Sequence, residues 1–115
     1  MSQKQILVVD DEPDIREVMM YALKIKGHKV QVADCSDEAF VAARATPHDV
    51  IFLDHCLSIS ETKEFVDLVH SKNPAAKVIL ISARHDVEER AKVLGLNEWV
   101  AKPFDLDELH RIANL

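Results

Sequence analysis

Residues 6–13 read Ile6-Leu7-Val8-Val9-Asp10-Asp11-Glu12-Pro13. An unbroken run rich in Val and Ile stops abruptly at three carboxylates and a proline. Such a run suits a strand covered on both faces, as in a parallel sheet, rather than one with a wet side. Pro13 fits the opening turn of a helix, and acids ahead of it complement a helix N-terminus. The next ten residues carry a helical pattern: Ile15, Val18, Met19, Ala22 and Leu23 keep the i, i+3, i+4, i+7, i+8 spacing of one apolar face. Gly27 comes just past it, where a left-handed helix cap wants glycine.

The same unit recurs along the chain. Apolar runs return at Val50–Leu53 and Val78–Ile81, with shorter pieces around Val30 and Val32 and around Trp99 and Val100. Helical spacing follows at Phe65, Leu68 and Val69, at Val87, Ala91 and Leu94, and at Leu106, Leu109 and Ile112; Ala39, Phe40 and Ala43 form a weaker case. Gly95 again follows a predicted helix, and Pro47 and Pro74 punctuate the gaps before strands. Asp86 with Glu89, and Asp105 with Glu108, have capping-box spacing at the starts of the last two helices. Five strand–helix units without a linker predict a parallel sheet between two helical layers, a three-layer α/β sandwich.

The length of 115 residues fits one domain, residues 1–115, and 48% hydrophobic with 30% charged residues is a globular profile. The longest apolar run, Val18 to Leu23, is far short of the ~18 residues of a membrane span. Residues 1–5 carry no signal-peptide stretch, so no membrane association or export is expected. Twenty acidic against fourteen basic side chains give −6, which argues against direct nucleic-acid binding by this domain. Cys35 and Cys56 have neither CxxC nor metal-ligand spacing, so a reduced cytoplasmic setting is expected, with Cys35 a small buried or half-buried residue.

Ligands of open α/β sheets bind beyond the carboxyl ends of the strands. The first strand ends in Asp10-Asp11-Glu12, the third in Asp54, the fourth in Ser82 and the fifth in Lys102. If the first and third strands are neighbours, three aspartates converge. Two carboxylates ~5 Å apart repel by roughly 3 kcal/mol at an effective dielectric of about 20, so such a cluster calls for a cation. An all-oxygen donor set favours a hard ion such as Mg²⁺ over zinc. Two glycines cannot build a GxxxxGK[ST] or GxGxxG loop, which disfavours nucleotide binding. A carboxylate nucleophile beside a metal, a hydroxyl and an ammonium suits phosphoryl transfer onto an aspartate. Singly, each residue has a bland reading: the acids as helix-start charges, Asp54 as a loop carboxylate, Lys102 as solvated surface. Their joint placement at strand ends does not.

Four segments in order carry a family resemblance: Ile6 through Glu12, Val50 through Asp54, Val78 through Ala83, and Trp99-Val100-Ala101-Lys102-Pro103-Phe104. Over essentially its whole length the chain resembles the receiver domain of bacterial two-component response regulators, the CheY-like family. The resemblance implies strand order 2-1-3-4-5 in a doubly wound, flavodoxin-like fold. It implies that Asp54 accepts a phosphoryl group from a sensor histidine kinase. Asp11, Asp54 and the backbone carbonyl of Cys56 would bind Mg²⁺, with Asp10 acting largely through water. Lys102 would pair with phosphoryl oxygens, joined by Ser82 and the backbone N–H of Ala83, and Trp99 would follow Ser82 as the switch aromatic. Lys102-Pro103 matches the family's cis peptide. The partners implied are the kinase and a downstream protein or covalently linked output domain, with a phosphorylation-dependent dimer among the outputs. The domain is thus expected to be a signalling switch that catalyses its own phosphorylation and slow dephosphorylation, not an enzyme for an outside substrate.

Departures gather after Asp54. Leu57-Ser58 and Thr62 stand where the family usually has Met-Pro and Gly, which predicts a more mobile or differently shaped loop and a less secure Cys56 carbonyl. Cys56 and Arg84 occupy positions that tune the phosphoryl lifetime; a cysteine orients water poorly and Arg84 could shield the group. All six histidines are expected at the surface, with His55 beside Asp54 the one candidate for modulating the site. Competing readings are an aspartyl phosphatase, which would want a DxD after the first strand, and a flavin carrier, which would want a hydroxyl- and glycine-rich loop there. A receiver-like module that only makes protein contacts and is never phosphorylated is the main alternative.

Overall fold

The computed structural model describes residues 3–35 and 37–113. Its elements follow in strict alternation: β1 (Gln5–Val9), α1 (Pro13–Ile25), β2 (Lys29–Ala33), α2 (Asp37–Ala45), β3 (Val50–Asp54), α3 (Ile59–Lys72), β4 (Lys77–Ser82), α4 (Val87–Val93), β5 (Glu98–Ala101) and α5 (Leu106–Ala113). All neighbouring strands are parallel, in the order β2-β1-β3-β4-β5. The expected sandwich and strand order are both present.

Continuous apolar strands make sense once both sheet faces are traced. Side chains alternate across a strand. Leu7, Val9, Ile51, Leu53, Val78 and Leu80 point to one side, under α2, α3 and α4. Ile6, Val8, Val50, Phe52, Ile79 and Ile81 point to the other, where Met19 and Leu23 of α1 and Leu109 of α5 cover them. Burying each such side chain contributes roughly 1.5–3 kcal/mol, so the three inner strands hold most of the apolar stabilisation. Phe65 of α3 is fully buried and meets Phe40 edge-on at 5.4 Å.

Gly27 and Gly95 end helices with φ of 91° and 73°, left-handed values that glycine adopts without a Cβ penalty. The apolar face of α1 is wider than the core needs. Met19 and Leu23 are buried, but Val18 is 53% exposed and shares the surface with Tyr21 and Ile25. The capping expectations divide. The amide of Glu108 donates to Asp105 Oδ1 at 2.8 Å, as a cap requires. Asp86 occupies the cap position of α4 without capping it, because its carboxylate is turned to Arg84 instead. Among the described residues, no helix is long and apolar enough to cross a membrane.

Candidate functional site

Strand register assembles the site. Val9 lies opposite Leu53, Asp54 opposite Ile81, and Ser82 opposite Ala101, so the next residues out, Asp10 and Lys102, stand on the same rim. Asp10, Asp54 and Ser82 are all buried. The Lys102 ammonium reaches in from β5 and donates to Asp10 Oδ2 at 2.9 Å and to Asp54 Oδ1 at 3.3 Å. Glu12 Oε1 lies 3.5 Å away, an exposed third partner that sequence spacing does not single out. The Lys102-Pro103 peptide is cis, as the resemblance implies.

Charge is balanced here by contact. Burial pushes the Asp54 carboxyl above the usual carboxylate range and the Asp10 charge adds to it, while Lys102 and His55 oppose the rise. Burial works against the Lys102 ammonium, yet its bond to Asp10 and the charges of Asp54 and Asp10 hold it above its ordinary value. Asp10, Asp11 and Glu12 each offer a carboxylate oxygen, all within 4.8 Å of one another. Asp11 is exposed where Asp10 is buried, so the cluster runs from solvent to the Lys102 contact. These hard oxygen donors fit a divalent cation; Asp54 is not one of the three and meets them through Lys102 instead.

Ser82 is held by two neighbours. Its Oγ accepts from the Arg84 amide at 3.0 Å and lies 2.9 Å from His55 Nδ1. The same Nδ1 is 3.1 Å from Asp54 Oδ1, so one edge of the imidazole faces both oxygens. His55 therefore ties the serine to the aspartate, closer than its expected modulating role. Ala83 is exposed at the rim, and Trp99 is half-buried against the α2–α4 side of the core.

Several expectations need correction. Arg84 does not stand over Asp54: its guanidinium pairs with Asp86, Nε to Oδ1 at 2.9 Å. His48 is not a surface histidine; it is buried, with Nε2 3.2 Å from Gln31 Oε1, and burial lowers its pKa against the opposing charge of Asp49. The loop after Asp54 is closed by a full capping box. Ser58 accepts from the Glu61 amide at 3.1 Å, while Glu61 Oε1 accepts from the Ser58 amide, also at 3.1 Å. Thr62 Oγ1 donates to the Ser58 carbonyl at 2.7 Å, so the residues replacing Pro and Gly lock the turn instead of loosening it. Arg90 of α4 adds a bond to the Leu57 carbonyl at 3.1 Å.

The cysteines also differ from expectation. Cys35 and Cys56 form a disulfide with Cα atoms 5.8 Å apart. Their spacing of 21 residues hides this, but β2 and β3 both flank β1, and the loops that follow them meet beside Asp54.

Comparison with known proteins agrees with this geometry. The family model described as the response regulator receiver domain matches residues 6–114. The probable transcriptional regulatory protein TcrX of Mycobacterium tuberculosis is 35% identical over 106 residues, 90% of this chain and 45% of TcrX. The nitrogen assimilation regulatory protein NtrX of Azorhizobium caulinodans is 32% identical over 108 residues, covering 90% of this chain and 24% of NtrX. The chain thus spans less than half the length of these two curated relatives. Among solved structures, the response regulator TrrA of Thermotoga maritima, in complex with Mg²⁺-BeF, is similar with a TM-score of 0.77 and 33% identity, covering 95% of both chains. The chemotaxis response regulator CheY4 of Vibrio cholerae gives a TM-score of 0.79 at 27% identity, covering 96% of this chain and 99% of that one. With its fold, strand order and family match in agreement, the chain belongs to the response regulator receiver domains, the signalling modules of two-component systems.

Proposed function

We propose that Asp54 is the phosphoacceptor of this receiver domain, taking a phosphoryl group from the phosphohistidine of a sensor histidine kinase. The observation that carries the reading is the Lys102 ammonium bridging Asp10 and Asp54 on a buried rim, 2.9 and 3.3 Å away. In the transfer, an Asp54 carboxylate oxygen bonds to phosphorus as the phosphorus–nitrogen bond of the donor breaks. Lys102 is placed to follow the incoming oxygens, trading its contact with Asp54 for one with the phosphoryl group. Ser82 has to leave His55 to donate its hydroxyl there, with the Ala83 N–H alongside, and Trp99 responds through the shared β4–β5 edge. Asp11, Asp54 and the Cys56 carbonyl would hold Mg²⁺, with Asp10 through water; the ion supplies neutralisation of the charge on the phosphoryl oxygens. The chain's own part is to position and neutralise, which makes it the catalyst of its own phosphorylation.

Other features support the partner reading. Ile15, Val18, Phe104 and Leu106 line an apolar groove between α1 and α5 that opens beside Ala83 and Lys102. A donor helix seated there would bring its phosphohistidine to Asp54. We read residues 1–115 as one receiver domain acting in the cytoplasm on a downstream protein or linked output domain, without direct nucleic-acid contact. Slow loss of the phosphoryl group now rests on Cys56 alone, since Arg84 is turned away.

The test follows Trp99 fluorescence through a Mg²⁺ titration and then with beryllofluoride or acetyl phosphate, with intact mass read in parallel. The expected result is a Mg²⁺-dependent response and a phosphoryl adduct on Asp54, both lost in Asp54→Asn. No adduct and no response in the unmodified chain would leave the contact-only module standing.

A further inference from the structure

The Cys35–Cys56 bond sits where the proposed chemistry happens. Cys56 is two residues past Asp54, and its Sγ lies 3.8 Å from the Asp54 carbonyl oxygen. Both sulfurs and an Asp54 carboxylate oxygen fall within 4.8 Å of one another. Both cysteines are half-buried and packed against the core. Their Cα separation of 5.8 Å lies within the range a disulfide takes. With the sulfurs joined, neither is a thiolate donor, and the trio with Asp54 is not a metal site in this state.

We propose that Cys35 and Cys56 form a reversible oxidation site that governs the cation affinity of the acidic pocket, and through it phosphoryl acceptance. The inference rests on the reading of Asp54 as phosphoacceptor. The bond ties the β3–α3 turn to the β2–α2 loop across the end of β1. Magnesium demands near-ideal octahedral geometry from its ligands. The Cys56 carbonyl, carried like Asp11 by a loop, must adjust to meet the ion together with Asp11 and Asp54. A cross-link at its own side chain removes that freedom, and the capping box at Ser58 fixes the other end of the turn. The oxidised domain therefore binds Mg²⁺ less tightly than the dithiol form.

The reaction is thiol–disulfide exchange with a low-molecular-weight disulfide such as oxidised glutathione. The two cysteine thiols give up two protons and two electrons as their S–S bond forms. The S–S bond of the reagent breaks, and its two sulfurs leave as thiols carrying those protons and electrons. In a reducing compartment, disulfides of this kind serve sensing rather than scaffolding.

The experiment uses the 115-residue chain, one portion treated with oxidised glutathione and desalted, the other kept reduced with a phosphine. Peptide mapping by mass spectrometry establishes the bond, calorimetry gives the Mg²⁺ affinity of each form, and intact mass gives the rate of labelling by acetyl phosphate. The expected result is Mg²⁺ affinity about tenfold weaker in the oxidised form, the scale on which a displaced ligand support acts, and labelling slowed with it. Cys35→Ser, with intact mass used to exclude any Cys56–glutathione mixed disulfide, should match the reduced protein under both treatments, with Cys35→Ala as a second variant should the serine be poorly tolerated. Equal affinities in the two forms, or no Cys35–Cys56 peptide after oxidation, would overturn the inference. Different affinities with no adduct in either form would uphold the redox coupling and sink the phosphoacceptor reading instead.

Discussion

Replacing Lys102 by methionine removes the charge that holds two buried carboxylates together while keeping most of the side-chain volume. Unit charges at the observed 2.9 and 3.3 Å attract by roughly 6 and 5 kcal/mol at an effective dielectric of about 20. Much of that gross attraction is offset by the cost of burying the ions. What the substitution exposes is the uncompensated remainder, and removing one partner from a buried cluster costs about 3–5 kcal/mol. For a domain whose whole stability is roughly 5–15 kcal/mol, that is a large share. The contact with Glu12 adds little, since that carboxylate is well exposed. The assay is urea unfolding followed by circular dichroism at neutral pH with a chelator present, comparing extrapolated free energies. Adding Asp54→Asn to Lys102→Met should recover a large part of the loss, because it removes one of the two stranded charges. A loss under about 1 kcal/mol, unaffected by the second substitution, would refute the claim that Lys102 is the structural counter-ion of this pocket.

The remaining predictions concern the nucleophile and the loop that comes after it. Burial and the Asp10 charge make the Asp54 carboxyl hold its proton more tightly in the folded chain than in the unfolded one. Its contribution to stability is therefore full below the unfolded value near 4 and is lost as pH rises through the raised folded value. Metal-free Asp54→Asn should then be the more stable protein at neutral pH, and its stability should fall less between pH ~4 and ~7. Equal urea midpoints for the two proteins at neutral pH would contradict this. Ser58→Ala should cost about 1 kcal/mol in urea unfolding and speed hydrogen exchange at the Glu61 amide, which loses its acceptor; unchanged exchange there would show that the cap does not hold the turn.

Much of this molecule can be read without coordinates, and the reasons are local. Runs such as Ile6–Val9 and Val78–Ile81 are strands buried on both faces, and two glycines at helix ends need no tertiary knowledge to interpret. The carboxylates, Ser82 and Lys102 are legible because strand ends share one rim in a parallel sheet. The capping box at Ser58 is equally legible, since Ser58 and Glu61 keep the S-x-x-E spacing; weighing the segment against the family's usual Pro and Gly points towards looseness instead. The features that resist such reading depend on which strands are neighbours. The meeting of Cys35 with Cys56 requires β1 to lie between β2 and β3. The burial of His48 requires Gln31 on β2 to face it and Asn73 to donate to its carbonyl at 3.0 Å. The His55 link between Asp54 and Ser82 depends on a side-chain direction that no spacing rule supplies.

The pocket joins residues 92 positions apart, Asp10 just past the end of β1 and Lys102 just past the end of β5. Until β5 has joined the sheet, Asp10 and Asp54 have no Lys102 between them. The pocket is therefore whole only when the sheet is. A chain that lacks β5 keeps the acids of the pocket and loses the ammonium that pairs them.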